Sequence, residues 1–303
     1  MSAKSGRIVV KKKVRRKSKH VLDRMIVENF KNAEKWKWGV MIGIPSLGQV
    51  RMEWATAFSS VIIPMNFSTS RVVVPVSIIN PLSYHVAEAQ NIIVRSLLTS
   101  EHEWEFLLLI EDDVIITPDI FLRLAKWIKH GVYPVVSGLY RLKSDPAEPM
   151  TFRGRGNGSY VGWMKGPGSI ERRADLPDTI HPKEVAFCDG VPAGCLLISK
   201  KLLQVAWSES RDIKLTREMS DGSTYQLACR EVFKTVREAG QDPETGVYFT
   251  RMGTSDLEFC DAVVRNGWLK KAGYHQAAKM KYPFPVDLKL DCGHIALATG
   301  KVY

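Results

Sequence analysis

No stretch of this chain is long and apolar enough to cross a bilayer. The longest uninterrupted apolar run, residues 106–110, has five members, against roughly 20 for a membrane-spanning helix. The basic start of the chain is followed by no apolar segment of about 7–15 residues before Asp23 and Arg24 interrupt it, so a secretory signal is not expected. Cysteine is scarce and unpatterned. Cys188, Cys195, Cys229, Cys260 and Cys292 are odd in number and make neither a CxxC pair nor a zinc-finger spacing, which argues for reduced, buried thiols in a cytosol. There is no GK[ST] phosphate loop and no repeat period, and the glycine-rich run 154–158 joins no strand to a helix. It reads as a mobile lid rather than a nucleotide fingerprint.

Acidic residues are absent from the first 20 positions, which carry nine Lys and Arg. The whole chain has 43 basic and 32 acidic residues, a formal charge of +11, so the other 283 residues hold only +2. The cation is the arm and the body is nearly neutral. With 303 residues, 45% apolar and 25% charged, the composition is that of a globular chain with one sizeable domain. A basic, unstructured arm over 1–24 and a single domain over 36–300 are therefore expected.

Within that domain, strand-like and helix-like segments alternate. Residues 39–44 read as a buried strand ending at Pro45 and Ser46, followed by a helix over 50–61 and a β-branched strand over 71–79. Residues 84–98 place Ala87, Ala89, Ile93, Val94 and Leu97 on one helical face, and 106–110 read as a central strand. Thr117-Pro118-Asp119 starts a helix whose inner face is Phe121, Leu124, Ala125 and Ile128, and Gly131 closes it. Strands over 132–138 and 194–199 follow, with a helix from Ser199 and another from Ser255 to Gly267. Residues 141–189 and 208–254 read as irregular insertions. The pattern predicts an α/β, Rossmann-like domain with a mixed, mostly parallel central sheet and long loop insertions.

Glu111-Asp112-Asp113 closes the apolar strand. Adjacent acids there repel one another and call for a compensating cation. On an extended backbone Glu111 and Asp113 project to one side, where they could converge on a hard divalent ion while Asp112 points away. The bland alternative is a solvated acidic turn that caps the next helix. Asp256 lies at a helix start behind Ser255, whose spacing to Glu258 is that of a capping box. The helix dipole is expected to keep its carboxylate exposed, ionised and low in pKa, a candidate base. His294, after Gly293, is a lone histidine without a zinc motif, and on chemistry alone such a residue is more often a satisfied surface or core side chain than a metal ligand.

In their order along the chain, these pieces resemble a glycosyltransferase of the GT-A fold over roughly residues 39–295. Pro45 and Ser46 stand at the nucleotide-binding start, Glu111-Asp112-Asp113 stands where the family's DxD follows a strand, and residues 114–121 are similar to its continuation. Residues 136–140 and 190–199 resemble the next strand and the acceptor-side strand. Ser255-Asp256 takes the place of a Glu-Asp pair, and 291–295 is similar to the C-terminal segment with a metal-binding histidine. The chain departs from the pattern in beginning the DxD with Glu, in Ser255, and in Gln90 where relatives carry a diphosphate-facing arginine; Arg95, one turn on, is either the substitute or a surface charge. The resemblance implies a nucleoside diphosphate sugar donor, a UDP-sugar first, with Mn²⁺ or Mg²⁺ on its diphosphate. Glu111, Asp113 and His294 would be the metal ligands, Pro45, Ser46, Gln90, Arg95, Glu111 and Asp112 donor contacts, and Asp256 the catalytic base of a hexosyl- or pentosyltransferase.

The acceptor is not specified by the residues. A polycationic arm fits DNA, including hydroxymethylated bases in a phage-infected bacterial cytosol, and a cytosolic polysaccharide, a lipid headgroup or a protein would also fit. A sugar-nucleotidyltransferase is the rival enzyme class, although 45–51 is a poor phosphate loop. A non-catalytic nucleic-acid-binding protein explains the arm but leaves the acids at 111–113 unused.

Overall fold

The computed structural model describes residues 39–46, 48–61, 76–79, 81, 84–153, 176–218, 222–241, 246 and 248–303. The expected arm and the glycine-rich run lie outside the described residues, as does nearly all of the first half of the strand expected over 71–79. Strand β1 (Gly39–Gly43) is followed by helix α1 (Met52–Ser59), strand β2 (Val76–Ile79), helix α2 (Val86–Thr99) and strand β3 (Trp104–Ile110). Leu107, Leu108, Leu109 and Ile110 are each 0% exposed, as a strand covered on both faces requires. On α2 the buried side chains are Ala89, Gln90, Asn91, Ile93, Val94 and Leu97, the expected stripe without Ala87, which is only half-buried, and with two amides that the apolar pattern did not include. Glu88 turns back to accept the His85 N–H at 3.2 Å and fixes the helix start.

Strand β4 (Val114–Ile115) leads into helix α3 (Ile120–His130), whose Ile120, Phe121, Leu124, Trp127 and Ile128 are buried at helical spacing. It stops at Gly131, whose φ of 71° is left-handed and whose N–H returns to the Trp127 carbonyl. Strands β5 (Val135–Leu139), β6 (Val185–Cys188) and β7 (Cys195–Ser199) follow, then helix α4 (Lys200–Glu209). Strands β8 (Asp212–Glu218), β9 (Thr224–Arg230), β10 (Val236–Gln241) and β11 (Tyr248–Gly253) precede helices α5 (Ser255–Arg265) and α6 (Trp268–Lys271). Strands β12 (Phe284–Asp291) and β13 (Gly293–His294) complete the described order.

Seven strands form the main sheet in the order β2-β1-β3-β7-β5-β12-β6. β1 pairs in parallel with β2 and β3, and β5 with β12, whereas β7 runs antiparallel between β3 and β5, and β6 antiparallel to β12. Five strands thus share a direction, and the reversed β7 sits in the middle. The mixed α/β expectation holds at this level. One correction concerns 208–254, which is two antiparallel hairpins rather than an irregular insertion. Its strands bury little: Leu215 and Cys229 are covered while Thr224, Tyr225 and Gln226 face solvent, so the apolar signal that marks a strand is nearly missing. β6 was concealed for a similar reason, as four residues at the end of a long aperiodic stretch.

The main core includes Ile93, Leu107, Leu196, Leu202, Phe259 and Phe284, with Phe233 stacked on Phe259 at 4.7 Å. On β12, Asp287 is 0% exposed yet fully answered. It accepts Arg123 Nε and Trp127 Nε1 at 2.7 Å each and the Lys289 N–H at 3.0 Å. Arg123 also donates to Glu184 at 2.7 Å. No helix among the described residues is long and apolar enough to cross a membrane.

Candidate active site

The carboxyl ends of β1, β3 and β5 open on the same edge of the sheet, the edge at which α/β folds hold ligands. β3 ends at Glu111, whose N–H donates to the Gly194 carbonyl at 3.2 Å, while the Val114 N–H donates back to the Glu111 carbonyl at 3.1 Å. Residues 111–114 are therefore a tight turn. The expected extended backbone, with 111 and 113 on one side by strand alternation, is not what forms; the i to i+3 hydrogen bond curls the acids around the strand end instead. Trp54 of α1, stacked on Phe58, donates its Nε1 to the Glu111 carbonyl at 3.0 Å and braces the turn.

Backbone pairing delivers the histidine. β13 runs antiparallel to β4 with His294 opposite Val114 and Gly293 opposite Ile115, and the Ile295 N–H donates to the Asp113 carbonyl at 2.7 Å. A Cβ on Gly293 would meet Val302 Cγ1 at 2.7 Å, so only glycine allows this register without displacement. His294 Nδ1 lies 2.7 Å from the Arg141 carbonyl, which can only accept. That contact puts a ring proton on Nδ1, while Nε2 faces Asp113 Oδ2 at 3.2 Å and the Tyr140 hydroxyl at 3.2 Å. Tyr140 in turn donates to Glu111 Oε2 at 3.3 Å. Its ring lies against Gly194, where a Cβ would come within 2.9 Å.

Asp256 joins this group from α5. Its Oδ2 accepts the Ala193 N–H at 3.2 Å and its Oδ1 the Leu257 N–H at 2.8 Å. Its charge reaches Glu111, whose carboxyl is pushed up to about 8 by burial first and then by Asp113 and Asp256. Burial raises the Asp113 carboxyl too, but hydrogen bonds and charge from His294 and Lys143 outweigh it and hold the group below its ordinary value. Asp256 departs from expectation. Burial raises its pKa more than its hydrogen bonds lower it, so desolvation overrides the helix dipole, and the side chain is part-buried rather than exposed. The expected capping box is absent as well. Thr254 is the residue before the helix, and Ser255 Oγ donates to Gln90 Oε1 at 2.7 Å.

The remaining expected residues fall into two sets. Pro45 and Ser46 are buried at the end of β1, where Ser46 Oγ accepts the Gly48 N–H at 2.9 Å. Gln90 is 0% exposed and serves Ser255, its Nε2 having no hydrogen-bond partner among the described residues, so it faces the protein rather than an open cleft. Arg95 lies more than a turn further down α2, near enough to Cys229 to lower its thiol pKa against the effect of burial. Asp112 adds its charge to Glu111 from within the turn. Tyr140, Arg141 and Lys143 were missed in the sequence. Their signal was positional: they follow directly on β5, whose end lies on the same edge as that of β3. Lys143 Nζ lies 2.5 Å from Asp113 Oδ2, and Arg141 pairs with Asp291.

Among the described residues, no three His, Cys, Asp or Glu side chains are grouped as a ready metal cage. The pair that does meet, a carboxylate oxygen of Asp113 and Nε2 of His294, would suit Mn²⁺ or Mg²⁺ with its other positions left to phosphate oxygens and water. The Arg141 carbonyl behind the imidazole is the usual support for a ligating histidine. Glu111 reaches the pair through Tyr140.

No family model and no curated protein matches the chain. Among solved structures, the chain is similar to A197 from STIV, with 16% identity and a TM-score of 0.43 over 85% of this chain and 86% of that chain.

Proposed function

We propose that the protein is a glycosyltransferase of GT-A type that moves a sugar from a nucleoside diphosphate sugar to an acceptor hydroxyl. The observation that carries this reading is the convergence of Asp113, His294, Glu111 and Asp256 at the carboxyl end of one buried strand, with their mutual repulsion only partly answered by the chain. A diphosphate leaving group needs its charge neutralised, and a divalent ion on Asp113 and His294 would supply that as a Lewis acid. Tyr140 holds Glu111 and His294 in register from behind. The acidity of Glu111, about 8, keeps it largely protonated near neutral pH, so it adds little further negative charge beside the phosphates.

In this reading Asp256 takes the proton of the acceptor hydroxyl as that oxygen attacks the sugar. Its raised pKa makes it a stronger base than a free aspartate, and its two backbone hydrogen bonds fix its direction. The acceptor class is carried by the arm alone: nine positive charges in 20 residues favour a polyanion such as DNA. The deciding experiment is hydrolysis and transfer across a panel of nucleotide sugars, with Mn²⁺ and with chelator. Metal-stimulated release of UDP from one donor supports the reading, and turnover unchanged by chelator, or no turnover of any donor, refutes it.

A further inference from the structure

Lys143 occupies a telling place. Its ammonium lies on Asp113 Oδ2 at 2.5 Å, the same oxygen that His294 Nε2 faces at 3.2 Å. The segment that carries it is pinned on both sides: the Leu142 N–H donates to the Glu148 carbonyl at 2.9 Å, the Met150 N–H to the Tyr140 carbonyl at 2.8 Å, and Arg141 is tied to Asp291. The side chain itself remains 31% exposed, so it can swing while its backbone stays.

An ammonium and a divalent ion cannot share one carboxylate oxygen without strong repulsion. A metal therefore has to displace Lys143, and the displaced ammonium is left over a group of acids with nothing to neutralise. A diphosphate removes that conflict, since its oxygens accept lysine as readily as a carboxylate does. Resting on the assignment of Asp113 and His294 as metal ligands, we infer that Lys143 is a resident counter-ion that opposes metal binding in the empty site and passes to a phosphate of the incoming nucleotide. Metal and nucleotide then favour each other's binding, and the coupling is reciprocal.

The test measures free Mn²⁺ by electron paramagnetic resonance with the full-length protein, and UDP binding by calorimetry at saturating Mn²⁺. Lys143→Met should bind Mn²⁺ alone about three- to tenfold more tightly than wild type, the range expected when one partly exposed ion pair is removed from competition. Lys143→Arg should stay close to wild type. In Lys143→Met, UDP should bind about tenfold more weakly, in line with a lost charge-assisted hydrogen bond. Equal or weaker Mn²⁺ binding by Lys143→Met would overturn the competition, and unchanged UDP affinity would overturn the transfer to phosphate. If wild type and both lysine variants stay folded yet bind no Mn²⁺, the metal assignment itself falls and takes this inference with it.

Discussion

Two groups of acids are built into the same sheet and are treated in opposite ways. Around Asp287, the chain provides an arginine, an indole N–H and a backbone N–H, and the arginine also satisfies Glu184. Around Glu111, the carboxyl groups whose charge reaches it are those of Asp113, Asp256 and Asp112, with one lysine and an imidazole against them. The first group is complete within the protein. The second is answered only in part, and in the proposed reading a divalent cation would complete it, which is the physical difference expected between a buried carboxylate that supports a fold and one that serves a site.

Substitutions can break this contrast from either side. Asp113→Ala should abolish Mn²⁺-stimulated donor turnover and Mn²⁺ binding while the melting temperature stays near wild type, measured by calorimetry on the same sample; retained metal binding would mean that the ligands lie elsewhere. Asp256→Asn keeps the hydrogen bond accepted from Leu257 but removes the base, so turnover should fall by about 10²- to 10⁴-fold with UDP affinity little changed. A loss confined to UDP affinity would make Asp256 a binding residue. Asp287→Ala leaves the Arg123 charge without its buried partner and should cost about 3–5 kcal/mol of stability in urea denaturation, with Mn²⁺ binding preserved in the folded fraction. A neutral result there would remove the distinction between the two groups.

The smallest effect is the sharpest in sign. In the folded protein Glu111 titrates near 8, above its ordinary 4.5, so between those values the native state holds a proton that the unfolded state has released. Stability of the metal-free protein should fall as pH rises through that window. Glu184 behaves in reverse. Burial raises it, but Arg123 pulls it below its ordinary 4.5, so its contribution is present above 4.5 and is lost as pH falls through the native value. Melting temperatures across pH should show Glu111→Gln flattening the alkaline side and Glu184→Gln flattening the acidic side. The same slope in both variants would show that the two groups are not electrostatically opposite.

The Glu111 side of this contrast was legible in the residues, whereas the Asp287 side was not. The apolar run before Glu111 announces a buried strand, the Thr-Pro-Asp start and Gly131 stop bracket α3 closely, and the acids at 111–113 have no nearby base in sequence. What the sequence hides is whatever depends on distant backbone pairing or on burial. The β4–β13 register that brings His294 to Asp113 involves two residues per strand, too short for any periodicity. Lys143 and Tyr140 matter because β5 lies one strand removed from β3 across the reversed β7, a neighbour order that no local pattern encodes. The upward shift of Asp256 arises from the walls around it, which the helix dipole argument could not include.

The partners of Asp113 also differ in when a ribosome supplies them. Lys143 lies 30 positions downstream and His294 lies 181, so at roughly 5–20 residues per second the lysine precedes the histidine by about 8–30 seconds. Because β5 meets β3 only through β7, a growing chain can place the ammonium on this carboxylate once Ser199 is made, still ahead of the imidazole. During synthesis Lys143 would act as a placeholder, letting the strand that ends in three acids be buried while the segment that finishes the ligand pair is still being made.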